Sequence, residues 1–252
     1  LGLMLGPAFA AMFIDEKASA LTWSLPFFIM AALFAVSAAM LCFSMKDPAA
    51  AKGLKLSQID WLGGLRDLRK LMDSGKSRRL IAIFCLNQVG AGAFFAAVPL
   101  VLESSGGFSP REIAAFLSAE GIFSGAVFAF FGPMLLKRTS LKNALVIGLS
   151  ASVITIAVPL VFDNYFALWS ITILQATGFG ITYFTTLAIF SENAPDGKRG
   201  WVLSVLSSLW GLTMGGGLAL CGVLAGISNA TCVSACLMLC AAALFISRKT
   251  SV

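Results

Sequence analysis

Histidine is absent from all 252 residues, so Ser–His and Cys–His catalysis and imidazole metal sites have no place in this sequence. Charge is the next scarcity: 12% of residues are Asp, Glu, Lys or Arg, whereas a soluble domain carries about 25%. Half the usual charge cannot cover a globular surface, which excludes an ordinary soluble enzyme or binding domain. Tyrosine occurs twice against 21 phenylalanines, a balance suited to lipid-facing and tightly packed helices. No phosphate loop, metal cluster or catalytic carboxylate pair is present, and neither a metal nor a cofactor is expected. The six cysteines (Cys42, Cys85, Cys221, Cys232, Cys236, Cys240) all fall inside apolar runs, where disulfides are not expected. Cys232, Cys236 and Cys240 share one helix face; a soft-metal site is one reading, small apolar packing residues the favoured one.

What fills the sequence is hydrophobic residue, 58% of the total with a mean hydropathy of +0.90. The chain reads as an all-α, multi-pass membrane protein with eight segments: 1–14, 24–44, 80–102, 113–136, 143–162, 165–190, 201–225 and 230–247. Seven of these have the length that a tilted spanning helix needs. The first, at about 1.5 Å per residue, covers roughly 21 Å of a hydrocarbon core about 30 Å thick. The chain opens on Leu1, with no basic region before that run. It is therefore expected to be a fragment of a longer protein whose first helix here is truncated.

Basic residues set the expected orientation. Sixteen of the eighteen lysines and arginines fall in the stretch 46–79, in the loops after 136 and 190, and in the C-terminal tail. All of these lie on one side of the membrane if the eight segments alternate. Lys17 and Arg111 alone lie on the other side. The positive-inside rule then places the C-terminus in the cytoplasm, and the protein is expected in the cell (inner) membrane. The net charge of +6 reflects topology and attraction to anionic lipid, and no nucleic-acid partner is implied. Within 46–79, Trp61, Leu65, Leu68 and Met72 recur at helical spacing, with Arg66, Arg69 and Lys70 on the remaining surface. This predicts an amphipathic helix along the interface, serving as a connector.

The opening run Gly2-Leu3-Met4-Leu5-Gly6-Pro7-Ala8-Phe9-Ala10-Ala11 sets two glycines four apart, which bares one helix face for close approach by another helix. Pro7 then removes an amide donor and bends the helix. These residues resemble the G-x-x-x-G-P-x-x-G-G signature of the major facilitator superfamily, with Ala10 and Ala11 where the signature closes on two glycines. Pro195-Asp196-Gly197-Lys198-Arg199-Gly200 resembles the family's basic turn before its eleventh helix, and Gly211, Gly215, Gly216 and Gly217 its glycine-rich face. Gly132-Pro133-Met134-Leu135-Leu136-Lys137-Arg138-Thr139-Ser140 resembles a copy of the family's basic motif between helices eight and nine, without its usual acid.

The resemblance covers effectively the whole chain and implies helices five to twelve of a six-plus-six transporter. Residues 1–45 would end the N-terminal bundle, 46–79 would connect, and 80–252 would form the C-terminal bundle. The implied activity is secondary active transport, closest in look to drug and metabolite exporters. The expected partners are a small, partly apolar substrate, a proton or other cation, and the lipid bilayer. An importer or symporter of a small metabolite, and a non-transporting receptor or assembly subunit of the same fold, are the alternatives.

Polar residues placed where they are expensive mark the candidate site. Glu120 is the one acid well inside an apolar segment, and a charge there costs at least about 2.5–3.5 kcal/mol on insertion scales. It is expected to face the bundle interior as a proton-coupling or cation-recognition acid. The alternatives are neutralisation by a partner from another helix, or simple packing in protonated form. Ser124 shares its face and is read as cavity-lining. Asn87 and Gln88, and Gln175 with Thr182 on a stripe that also holds Thr172, Phe179 and Thr186, are read as cavity-lining. Interhelical hydrogen bonding is the other reading. Trp210, mid-segment and away from the interfacial belt, is read as cavity-lining, stacking on a substrate or capping the cavity, with packing as the alternative. Gly2, Gly6, Pro7, Gly211 and Gly215 are read as helix-packing positions.

Overall fold

The computed structural model describes residues 28–29, 31–40, 69, 72, 74–104, 106–194 and 197–249. The opening motif with Gly2, Gly6 and Pro7, and most of the predicted interfacial helix, lie outside these residues. Within the second predicted segment a short apolar helix, α1 (Ala31–Met40), is seen. Six helices follow that are long and apolar enough to cross a membrane. They are α2 (Gly75–Ser104), α3 (Pro110–Arg138), α4 (Leu141–Val161), α5 (Tyr165–Glu192), α6 (Arg199–Ala225) and α7 (Asn229–Arg248). There is no strand among the described residues.

These six match the six predicted segments from residue 80 onward, and the caps explain why most of the helices start earlier than hydropathy suggests. Polar residues that would end an apolar run instead hold the first turn. Ser109 Oγ accepts from Glu112 N, while Glu112 Oε2 accepts from Ser109 N at 2.8 Å, a reciprocal capping box with Pro110 as the first helical residue. Ser140, Asn164 and Ser228 cap α4, α5 and α7 in the same way, each accepting a backbone N–H with its side-chain oxygen. Ser74 Oγ accepts from Ser77 N at 3.0 Å, so α2 extends through Lys76, Arg78 and Arg79 before entering apolar surroundings. The tight connection after α2 uses Gly107 at φ +62°, a conformation that suits glycine.

Helix α3 is not uniform. It is α-helical to Ala126, widens to a π turn over Val127–Phe131, and resumes at Gly132–Arg138. Pro133 supplies the reason: proline has no N–H to give to the carbonyl one turn back. The widened turn lets Gly132 N–H reach Val127 O instead.

In the bundle, α2 is held between α6 and α7, α4 pairs most extensively with α5, α7 also meets α4, and α3 lies against α5. Glycines set the closest approaches. A Cβ at Gly92 would stand 2.5 Å from Met214 O on α6, and one at Gly217 would collide with Val89 O and lie 2.7 Å from Ala93 N. A Cβ at Gly90 would stand 2.7 Å from Cys240 Sγ, so the α2–α7 contact is a glycine seated on a thiol. Cys232, Cys236 and Cys240 are fully buried in this way, as packing residues. At the α4–α5 seam, a Cβ at Gly178 would stand 2.5 Å from Ser152 N, and one at Gly148 would stand 2.6 Å from Thr182 Oγ1.

Candidate functional site

Two apolar cores occupy the two ends of the bundle, and they share every major helix except α3. One gathers Phe94, Leu102, Phe116, Ile156, Leu168 and Ile171. The other, toward the basic ends of the helices, gathers Phe84, Leu145, Leu149, Ile189, Phe190 and Leu206. Between them runs a polar belt. Asn87 and Gln88 lie between Phe84 and Phe94 on α2, Ser152 and Thr155 between Leu149 and Ile156 on α4, and Gln175 and Thr182 between Ile171 and Ile189 on α5. All six are buried.

Members of the belt differ in how their polar atoms are met. Ser152 Oγ donates to Gly148 O at 3.1 Å and Thr155 Oγ1 to Ala151 O at 2.7 Å, each within its own helix. Thr186 does likewise, onto Thr182 O. The amides have no such partner among the described residues: both side-chain polar atoms of Asn87 and of Gln175 are buried and unpaired, as are Gln88 Nε2 and Thr182 Oγ1. Leaving such a group unpaired costs about 1–3 kcal/mol, so these are the belt's groups with most to gain from a polar partner.

Glu120 stands about ten residues from Pro110, roughly 15 Å along α3. It is 4% exposed, Oε2 has no hydrogen-bond partner, and no basic side chain lies within ion-pair distance among the described residues. Three contacts fix the register of α3 against α5. The Phe116 and Trp169 ring centroids are 5.7 Å apart, a Cβ at Gly180 would stand 3.0 Å from Val127 Cγ1, and one at Gly132 would stand 3.5 Å from the Phe184 ring. Both helices run the same way, so Glu120 stands level with Ile173, between Thr172 and Gln175 in depth. Glu120 thus lies at the depth of the amides.

The two sides of α5 have different neighbours. Trp169, Gly180 and Phe184 face α3, whereas Gly178 and Thr182 face α4. Gln175 and Thr182 share a stripe with Gly178, so this stripe lies in the bundle interior and not on an open wall. The open wall is aromatic. Tyr183 has three ring neighbours: Trp210 at 5.9 Å, Phe84 at 6.1 Å and Phe128 at 6.2 Å. Trp210 is 42% exposed and Phe128 equally so. Ser124 is half-buried, one turn from Glu120 toward Phe128. Sequence reasoning reached Trp210 but missed Tyr183 and Phe128. The available signal was a tyrosine deep inside a span, in a chain that has only two.

A Cβ at Gly211 or Gly215 would meet nothing within 4 Å on another helix among the described residues, whereas on α6 the close contact with α2 is made by Gly217.

The chain matches the Major Facilitator Superfamily over residues 1–218. No curated protein matches it.

Proposed function

The chain belongs to the major facilitator superfamily, a family of membrane transporters, and on that premise we propose that it performs proton-coupled export of a small, partly apolar molecule by alternating access. Residues 1–45 are the end of one bundle, 46–79 the cytoplasmic connection, and 80–252 the second bundle, with the C-terminus in the cytoplasm and the protein in the cell (inner) membrane. The observation that carries the coupling role is Glu120: a carboxyl buried in the middle of a membrane helix with no counter-charge among the described residues. An acid so placed costs least when protonated, and it can bear a charge only when water or a cation reaches it. That is the behaviour a proton-binding step requires.

The substrate class follows from the neighbouring wall. Phe128, Tyr183 and Trp210 present aromatic faces with few polar atoms, at the depth where Asn87 and Thr182 cross the bundle; these suit a flat or apolar body with one or two polar groups. Transporters of this kind bind substrate near the midplane, and the polar belt lies at that depth. Export, as opposed to import, is supported by the resemblance of Gly2–Pro7 to the family's exporter signature.

The test is flux in proteoliposomes containing the full-length protein, loaded with a panel of lipophilic cations and neutral aromatic compounds. An imposed proton gradient is expected to drive substrate against its own gradient, with protons moving the opposite way. Proton and substrate moving in the same direction would instead establish the symporter reading.

A further inference from the structure

The hairpin of α3 and α4 leaves a groove on the outer face of the bundle that the transport site does not use. The two helices meet at the short turn Thr139–Ser140 and make few contacts beyond it, so they diverge, and α5 closes the floor between them. The resulting cleft encloses about 540 Å3. Phe131 and Met134 form one wall, Ile147 the other, Ile173 and Thr177 the floor, and Arg138 stands at the basic end. Phe131, Met134, Ile147 and Ile173 are all substantially exposed there. This is the opposite side of α5 from Gln175 and Thr182, so the groove and the polar belt are separate.

We propose that this groove binds one anionic phospholipid from the leaflet on the basic side, with an acyl chain along Ile173 and Thr177 and its phosphate at Arg138. Three observations select that occupant. The first is length. Phe123 also lines the groove, and from Phe123 to Arg138 is roughly 22 Å of helix. That equals about half of the 40–45 Å that a bilayer measures with its headgroups. The second is the division of chemistry: an apolar trough ending in a single guanidinium, the layout of a lipid tail and headgroup. The third is charge. Lys137 and Lys142 flank Arg138, no acid lies between residues 137 and 142, and Arg138 has no ion-pair partner among the described residues. Basic pockets between membrane helices on the cytoplasmic side are suited to anionic headgroups. A zwitterionic headgroup would leave this cluster unbalanced. The volume lies within the range of ordinary ligand sites.

The experiment is native mass spectrometry of the full-length protein released from micelles doped with dioleoyl phosphatidylglycerol or dioleoyl phosphatidylcholine. One phosphatidylglycerol is expected to persist through activation that strips phosphatidylcholine. Arg138→Gln should reduce its retention about fivefold, the effect of one basic residue near an anionic surface. Thr177→Trp, which fills the floor and leaves the charge in place, should remove the tightly held lipid. Arg111→Gln, at the other membrane face, should leave retention unchanged. Equal retention of the two lipids would overturn the proposal, as would indifference to Arg138→Gln or to Thr177→Trp. Failure of the wild-type protein to hold any lipid would overturn it too, and would indicate that another segment of the chain covers the groove.

Discussion

Helices α2 and α3 are nearly equal in length and in mean hydropathy, yet 67% of the most apolar stretch of α2 is buried against 28% for α3. The difference lies in small residues and in regularity. Gly90 and Gly92 let α2 sit directly on the backbones and thiols of α7 and α6, fixing it from two sides. Among the described residues helix α3 has one main neighbour, α5, and its course widens to a π turn over Val127–Phe131, just before Pro133. Each helix nevertheless buries polar groups without partners: Asn87 and Gln88 on the fixed helix, Glu120 on the loosely held one. Hydropathy measures only that both helices belong in lipid. Contact geometry separates a helix fixed from two sides from one that has a single main neighbour among the described residues, and the acid lies on the latter.

The sharpest way to break the contrast is at the glycine contacts. Gly217→Leu would drive a side chain into Val89 and Ala93 on α2, and overpacking of this kind costs about 3 kcal/mol at its upper end. Gly215→Leu, two residues earlier, where a side chain meets nothing within 4 Å among the described residues, should change stability by no more than about 0.5 kcal/mol. Thermal unfolding of the purified full-length protein compares the two directly.

A smaller effect of opposite sign is expected in the belt. Gln175 is 1% exposed with both amide atoms unpaired, so Gln175→Leu removes a desolvation penalty at nearly constant volume. The variant should unfold at higher temperature, with a gain of about 1–3 kcal/mol, while its transport rate falls. A loss of stability would mean that the amide is satisfied in the folded protein and serves structure alone.

The smallest effect belongs to the helix start. Ser109→Ala removes the capping box of α3 and should cost about 1 kcal/mol, read as faster amide exchange in the first turn of that helix. Coupling at Glu120, about three turns away, should be unaffected.

Much of this organisation was legible in the residues. The six spans from residue 80 onward follow from run length, because a helix must satisfy its own backbone in lipid and only about 20 apolar residues cross it. Glu120, Asn87, Gln88 and Gln175 stood out because polarity is rare and expensive there, and the structure buries all four. What could not be read was direction around each helix. The stripe Gln175–Thr182 is visible in sequence, but that it faces α4 depends on Gly148 and Gly178, which are distant in the chain and ordinary in composition. The glycine run on α6 shows four candidates, and only the placement of α2 selects Gly217. The lipid-facing groove arises from the divergence of α3 and α4, a property of three helices together that no single segment encodes.

Proton binding at Glu120 is read directly from the pH dependence of substrate flux by Glu120→Gln in full-length protein reconstituted into liposomes. Glu112→Gln, at the exposed start of the same helix, serves as the control. Glu120→Gln should fold, retain substrate exchange down its own gradient, and lose both gradient-driven accumulation and its dependence on pH, while the control keeps both. Gradient-driven transport of unchanged magnitude and pH profile in Glu120→Gln would show that another group binds the proton.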